Sequence, residues 1–214
     1  MNRIKIFYAQ FNDENMAAIC DKWLSFFPFE LQQINLAYRK QIDRTRNLLG
    51  KLLLVEALKD AGLAHYKLSD MQYTTLKKPY LSEDFDFSIA HAGYYVCCAF
   101  VEAEKIGIDI EETLPLDFED YTYAMSASEW DIIKNSPDPL HTFYIYWTKK
   151  EALIKACGLG FFAPLEKIYV QENAIFLDKD KWYTTPIILD EQHLAHLASK
   201  IEQPTIEMIK IDFI

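Results

Sequence analysis

The chain has 214 residues, half of them hydrophobic and 14% aromatic, which excludes a disordered polymer and is enough for one large core or two small packed ones. Its net charge of −10 argues against general nucleic-acid binding, and no apolar run approaches the length of a membrane span. The N-terminal stretch "MNRIKIFYAQFNDEN" has no continuous apolar segment of signal-peptide type, so a cytoplasmic protein is expected, with neither nucleic acid nor membrane as partner.

In chain order, "MNRIKIFYAQF" alternates weakly and predicts a strand. "NMAAICDKWLSFF" predicts a helix that stops near Pro28. The long segment from Leu31 to Gly62 predicts one helix or two, with an apolar stripe at Ile42, Leu48, Leu49, Leu52, Leu53 and Leu58 and a stop at Gly62. "KKPYL" predicts a loop fixed by Pro79. "DFSIAHAGYYVCCAFVEAEKIGIDIEE" predicts a β-meander with turns at Gly93 and before Gly107. Ser126 and Glu129 have capping-box spacing ahead of a short helix. A further helix over "HTFYIYWTKKEALIKACGLG" ends at Gly158 and Gly160. Strands with turns follow, closed by "HLAHLASK" and "TIEMIKIDFI" as two more. The pattern runs strand, helices, strands, twice over. It predicts an α+β fold of two similar halves, 1–105 and 106–214.

The charge follows the same division. Residues 1–105 hold 13 Lys+Arg and 13 Asp+Glu, whereas residues 106–214 hold 9 and 19. The neutral half contains a basic cluster of Arg39, Lys40, Arg44, Arg46 and Lys51, suited to a local anion site, and the acidic half suits a cation site. The four cysteines form no C-x-x-C pair. Cys97 and Cys98 alternate to opposite faces of their strand, so all four are expected as reduced thiols, Cys20 and Cys157 included.

Four stretches carry candidate chemistry. In "GIDIEE" the alternation sends Ile108 and Ile110 to one face and Asp109 and Glu111 to the other. Two carboxylates side by side serve acid–base work or hold a hard cation; the plain alternative is a solvated edge strand. In "WTKKEALIK", Trp147, Glu151 and Lys155 recur every four residues along one helix face. Taken alone, Glu151 and Lys155 are a surface ion pair; beside a tryptophan and a Gly-x-Gly turn they suit a metal-bound phosphate ester. His91 closes a strand before a turn glycine, where a structural hydrogen bond is the commoner role. Arg46 lies on a helix beside the basic cluster, where it is either a phosphate ligand or simply exposed.

Taken together, R-N-L-L-G (46–50), K-P (78–79), F-S-I-A-H-A-G (87–93), G-I-D-I-E (107–111), S-x-x-E (126–129) and W-T-K-K-E-A-L-I-K (147–155) resemble the 4′-phosphopantetheinyl transferase family, of the long surfactin-synthetase-activator type. The resemblance implies a pseudo-dimer of two α/β halves with the active site between them. It implies an enzyme that moves the 4′-phosphopantetheine arm of coenzyme A to a serine of an apo acyl or peptidyl carrier protein. It implies Mg²⁺, with Mn²⁺ as the alternative, on Asp109, Glu111 and Glu151. Glu151 would also serve as base, Lys155 would hold a pyrophosphate oxygen, Arg46 and His91 the 3′-phosphate, and Lys78 and Ser88 would belong to the coenzyme A site. A monomer is expected, since one chain supplies both halves.

The chain departs from the family pattern in three places. Ala90 and Ala92 stand where the family has serines around the histidine, and Ser88 stands where it has asparagine. Glu30 and Gln33 fall where it often has lysines. These departures predict weaker coenzyme A binding, or a backbone or water substitute. Two other readings stay open, a Mg²⁺-dependent phosphodiesterase and a non-catalytic binder of coenzyme A or a carrier. The aromatic segment 117–125 is either a carrier-docking surface or core.

Overall fold

The structure, a computed structural model, describes residues 3–214 apart from the side chains of Phe161 and Glu166. Residues 1 and 2 of the first expected strand lie outside the described residues. Eleven strands and five α-helices are present among them: β1 (Arg3–Gln10), α1 (Met16–Trp23), α2 (Phe29–Leu36), α3 (Gln41–Asp60), β2 (Gln72–Tyr73), β3 (Pro79–Tyr80), β4 (Phe85–Ala92), β5 (Tyr95–Glu102), β6 (Ile106–Glu112), α4 (Ala127–Lys134), α5 (Pro139–Cys157), β7 (Ile168–Val170), β8 (Ala174–Leu177), β9 (Asp180–Ile187), β10 (His193–Ser199) and β11 (Thr205–Lys210). No helix among the described residues is long and apolar enough to cross a membrane.

The fold is α+β, built as two sheets, each with one long helix on its outer face. The first sheet has the order β11-β1-β5-β4 and the second β6-β10-β9-β8-β7. Helix α3 covers the first sheet with Leu48, Leu49, Leu53 and Leu58, all buried. It comes so close that a methyl group on Gly50 would stand 2.8 Å from Cγ2 of Ile89. Helix α5 covers β6 and β10. Its approach is tighter still: a Cβ on Gly107 would lie 2.0 Å from the carbonyl oxygen of Ala152. Only glycine fits there, which is why the acidic strand carries one beside its carboxylates.

Between the sheets lies a third apolar layer. Ile4 and Ile6 of β1, Cys97 and Ala99 of β5, and Ile106, Ile108 and Ile110 of β6 meet Ala195 and Leu197 of β10. Cys98 faces the other way, into the α3 core. The alternation of the two cysteines is as expected, and all four cysteines are free thiols. The capping box of α4 is also present, with Ser126 and Glu129 bonding each other's backbone N–H.

Three expectations are corrected. The segment Phe85–Glu112 is not a meander: β4 and β5 pair, but β6 leaves for the second sheet and pairs with β10. Alternation fixes which face a side chain takes, not which strand is its neighbour. The "KKPYL" loop contains β3, which pairs with β2. The line at 105/106 is not a clean cut either, because β11 returns to the first sheet and runs parallel to β1, with Arg3 opposite Thr205.

Candidate functional site

A cleft of about 610 Å³ runs between the halves. One wall is β4, with Phe87, Ser88 and Ile89. The other is β6 and α5, with Asp109, Glu111, Trp147, Glu151 and Lys155. The alternation in "GIDIEE" therefore does as expected: the isoleucines enter the inter-sheet core and the two acids face the cleft. The four-residue spacing on α5 brings Glu151 and Lys155 to the same cavity.

The acids are crowded. Asp109 is only 5% exposed. Its Oδ1 accepts a hydrogen bond from Lys155 Nζ at 2.7 Å, while Oδ2 is buried with no partner among the described residues. Burial raises its pKa, against the pull of Lys155. Glu111 is raised to about 7, first by burial and then by the charge of Asp109. Glu151 is raised by burial and by Asp109. Glu111 Oε1 accepts from Trp147 Nε1–H at 3.1 Å, which explains the tryptophan on this helix face. Among the described residues no three ligating side chains close on a common point; Glu111 is turned to Trp147 and Asp109 to Lys155. The donor set nonetheless fits a hard divalent cation: it offers carboxylate oxygen, one oxygen is buried and orphaned, and mutual repulsion is relieved by positive charge.

Lys78 lines the cleft with its stem, but its ammonium is committed elsewhere. It donates to Asp86 Oδ2 at 2.5 Å, to the carbonyl of Ala156 at 3.1 Å and to that of Ile106 at 3.3 Å. Asp86 also accepts from Ile106 N–H. This strap ties β4, β6 and the end of α5 together, and sequence reasoning gave Asp86 no role. Ser88 is likewise bound to structure, its Oγ accepting from Ile108 N–H at 3.1 Å. Asp86 and Ser88 thus satisfy the edge of β6 that carries no strand partner.

Arg46 and His91 lie outside the residues lining this cleft, on its rim. Both Arg46 Nε and Nη2 donate to the carbonyl oxygen of Gly93, at 3.0 and 2.6 Å. His91 is solvent-exposed at the end of β4, yet densely surrounded. Its pKa is lowered by loss of hydration and then by the nearby cations Arg46 and Lys155. Arg46 and Lys155 therefore bring two positive charges close to the His91 ring and disfavour a third there. Of the segment 117–125, Phe118 and Tyr121 pack on Phe143, and Ala124 and Met125 are buried. Tyr123 is 65% exposed and lines the cleft. The segment divides: Ala124 and Met125 are core, Phe118 and Tyr121 are half-buried, and Asp117, Glu119, Asp120, Thr122 and Tyr123 are exposed.

Residues 105–198 match the family model of the 4′-phosphopantetheinyl transferase superfamily. The chain is similar to 4′-phosphopantetheinyl transferase Sfp of Bacillus subtilis (strain 168), 32% identical over 71% of this chain and 69% of that protein. It is similar to 4′-phosphopantetheinyl transferase gsp of Aneurinibacillus migulanus, 29% identical over 67% of this chain and 61% of that protein. It is also similar to L-aminoadipate-semialdehyde dehydrogenase-phosphopantetheinyl transferase of Rattus norvegicus, 28% identical over 75% of this chain and 59% of that protein. The chain thus spans between 59% and 69% of the lengths of these three relatives.

Proposed function

Because the chain belongs to the 4′-phosphopantetheinyl transferase superfamily, we propose that it transfers the 4′-phosphopantetheine arm of coenzyme A to a serine of an apo carrier protein. The serine Oγ forms a bond to the β-phosphorus, the bond from that phosphorus to the bridging oxygen breaks, and adenosine 3′,5′-bisphosphate leaves. The observation that carries this reading is the meeting of three acids with raised pKa and Lys155 in one cleft between two halves.

Asp109, Glu111 and Glu151 would hold the divalent cation, which we read as Mg²⁺ over Mn²⁺. When bound, such an ion supplies charge neutralisation for the pyrophosphate. Glu151 takes the serine proton, a role that its raised pKa favours near neutral pH. Lys155, partly exposed beside Asp109, holds a pyrophosphate oxygen. Arg46 and His91 bind the 3′-phosphate from the rim. Lys78 shapes the wall of the nucleotide end and fixes α5. Ser88 sets the position of β6. One chain supplies both walls, which supports a monomer.

Intact-protein mass spectrometry of an apo carrier protein, incubated with this protein, coenzyme A and Mg²⁺, tests the reading. A gain of one phosphopantetheine arm that EDTA prevents is expected. No gain on acyl or peptidyl carriers, with coenzyme A binding still measurable, overturns it.

A further inference from the structure

The Arg46 guanidinium takes its orientation from a single atom. Two of its N–H groups chelate the carbonyl oxygen of Gly93, and the third contact, Nη1 to Asp43 Oδ1, is long at 3.4 Å. A planar fork held this way has one degree of placement left, that of the carbonyl itself. What fixes Gly93 therefore fixes Arg46.

Gly93 sits in the turn between β4 and β5, with φ +50°. The second half presses against it there. A Cβ at Gly93 would stand 2.7 Å from Nε2 of His193 and 3.2 Å from Oε2 of Glu112. These two residues are opposite one another in the β10–β6 pair. His193 is itself clamped. Its backbone N–H and its Nδ1 both meet Asp190 Oδ1, each at 2.9 Å, and its ring lies edge-on to Tyr95 with centroids 4.9 Å apart. The residue is 8% exposed, and Nε2 has no hydrogen-bond partner among the described residues. A buried ring nitrogen left unpaired costs stability, so a role for this ring in packing alone does not account for its choice over an apolar residue.

We propose that His193, oriented by Asp190, is a positioning residue for Arg46, acting across the junction of the halves through the Gly93 turn. His91 lies two residues before Gly93 on the same strand end, and Arg46 is bonded to Gly93 itself, so one turn adjoins both rim residues. The second half thus sets the phosphate-binding geometry of the first, in addition to supplying the acids. This inference rests on the reading of Arg46 and His91 as ligands of the 3′-phosphate.

The test is a steady-state comparison of coenzyme A with 3′-dephospho-coenzyme A in His193→Ala, His193→Gln and Arg46→Ala, with thermal unfolding measured alongside. Arg46→Ala should raise KM for coenzyme A and leave KM for the dephospho form unchanged. His193→Ala should reproduce that selective rise at about tenfold, or ~1.4 kcal/mol, the scale of one hydrogen bond, with kcat held within about twofold. His193→Gln, which keeps a polar atom near Gly93, should recover most of the loss. If His193→Ala does not fold, Asp190→Ala, which removes the oxygen that meets the ring's Nδ1, should show the same selective rise. Equal KM changes for both substrates, or none, in a folded His193 or Asp190 variant overturn the inference while Arg46→Ala leaves its premise standing. If Arg46→Ala itself fails to discriminate the two substrates, the premise falls and takes the inference with it.

Discussion

Asp109 and Lys155 meet at 2.7 Å across the contact of β6 with α5, leaving the second oxygen of Asp109 buried and without a partner among the described residues. The pair is asymmetric. The lysine side chain is 31% exposed and can turn to water, whereas the aspartate side chain, 7% exposed, cannot. Asp109→Ala should therefore leave a folded protein whose transfer rate falls by ~100-fold or more, the scale on which removing a preorganised charge acts. Glu151→Ala should do the same. Mass-spectrometric transfer rates together with circular dichroism decide it; near-normal transfer by either folded variant removes the acids from the chemistry.

Trp147 joins the packing of the second half to its chemistry. Its ring stacks on Phe143 at 6.2 Å while its N–H is spent on Glu111. Trp147→Phe keeps most of the packing and deletes the donor. The loss of one charge-assisted hydrogen bond, about 1.5–3 kcal/mol, should appear mainly in kcat and in a higher Mg²⁺ concentration for half-maximal transfer. A variant with unchanged metal dependence would dissociate the tryptophan from the orientation of Glu111.

Lys78 should act on stability before it acts on substrate affinity. Lys78→Met leaves Asp86, 3% exposed, without its cation. Breaking one side of a buried pair costs about 3–5 kcal/mol, so the midpoint of urea unfolding should fall clearly. A Lys78→Met protein of wild-type stability with a raised KM for coenzyme A would instead place the ammonium on the ligand.

Acid sensitivity should trace in part to His196. It is 5% exposed, shares a hydrogen bond with Thr148 Oγ1 at 2.7 Å, and its pKa is lowered to about 3 by burial, with Lys149 adding to the effect. Between about pH 6.5, the unperturbed histidine value, and about pH 3, the unfolded chain binds a proton here and the folded chain does not. Stability contributed by the neutral ring is thus full above pH 6.5 and falls on acidification by up to ~1.4 kcal/mol per pH unit. His196→Gln should flatten that slope by about one proton. An unchanged slope would show that His196 takes up its proton equally in both states.

Much of the site could be read along the chain because strand and helix periods place side chains on faces. Asp109 and Glu111 reach the cleft by a period of two, and Glu151 and Lys155 by a spacing of four. Cys97 and Cys98 separate into two cores for the same reason. What could not be read was pairing at a distance. Nothing in "GIDIEE" says that β6 takes β10 as its neighbour, or that its other edge is satisfied by Asp86 and Ser88 in place of a strand. Arg46 could be placed on a helix, but its chelation of a carbonyl 47 residues away could not. The Lys78 strap escaped because its partners are two backbone oxygens and an aspartate that no motif marks.

The parallel pairing of β11 with β1 has a consequence for how the molecule comes into being. β1 waits, with one edge unpaired, for a segment about 200 residues further along, Arg3 meeting Thr205. Until that segment arrives, the edge bears free N–H and C=O groups that could pair with another chain. Contacts between such distant segments form slowly, because a long loop must close first. The first sheet is therefore completed only after the strands of the second have been made. β11 works as a latch, and growing chains that lack it are the form in which aggregation or a need for chaperones should be looked for.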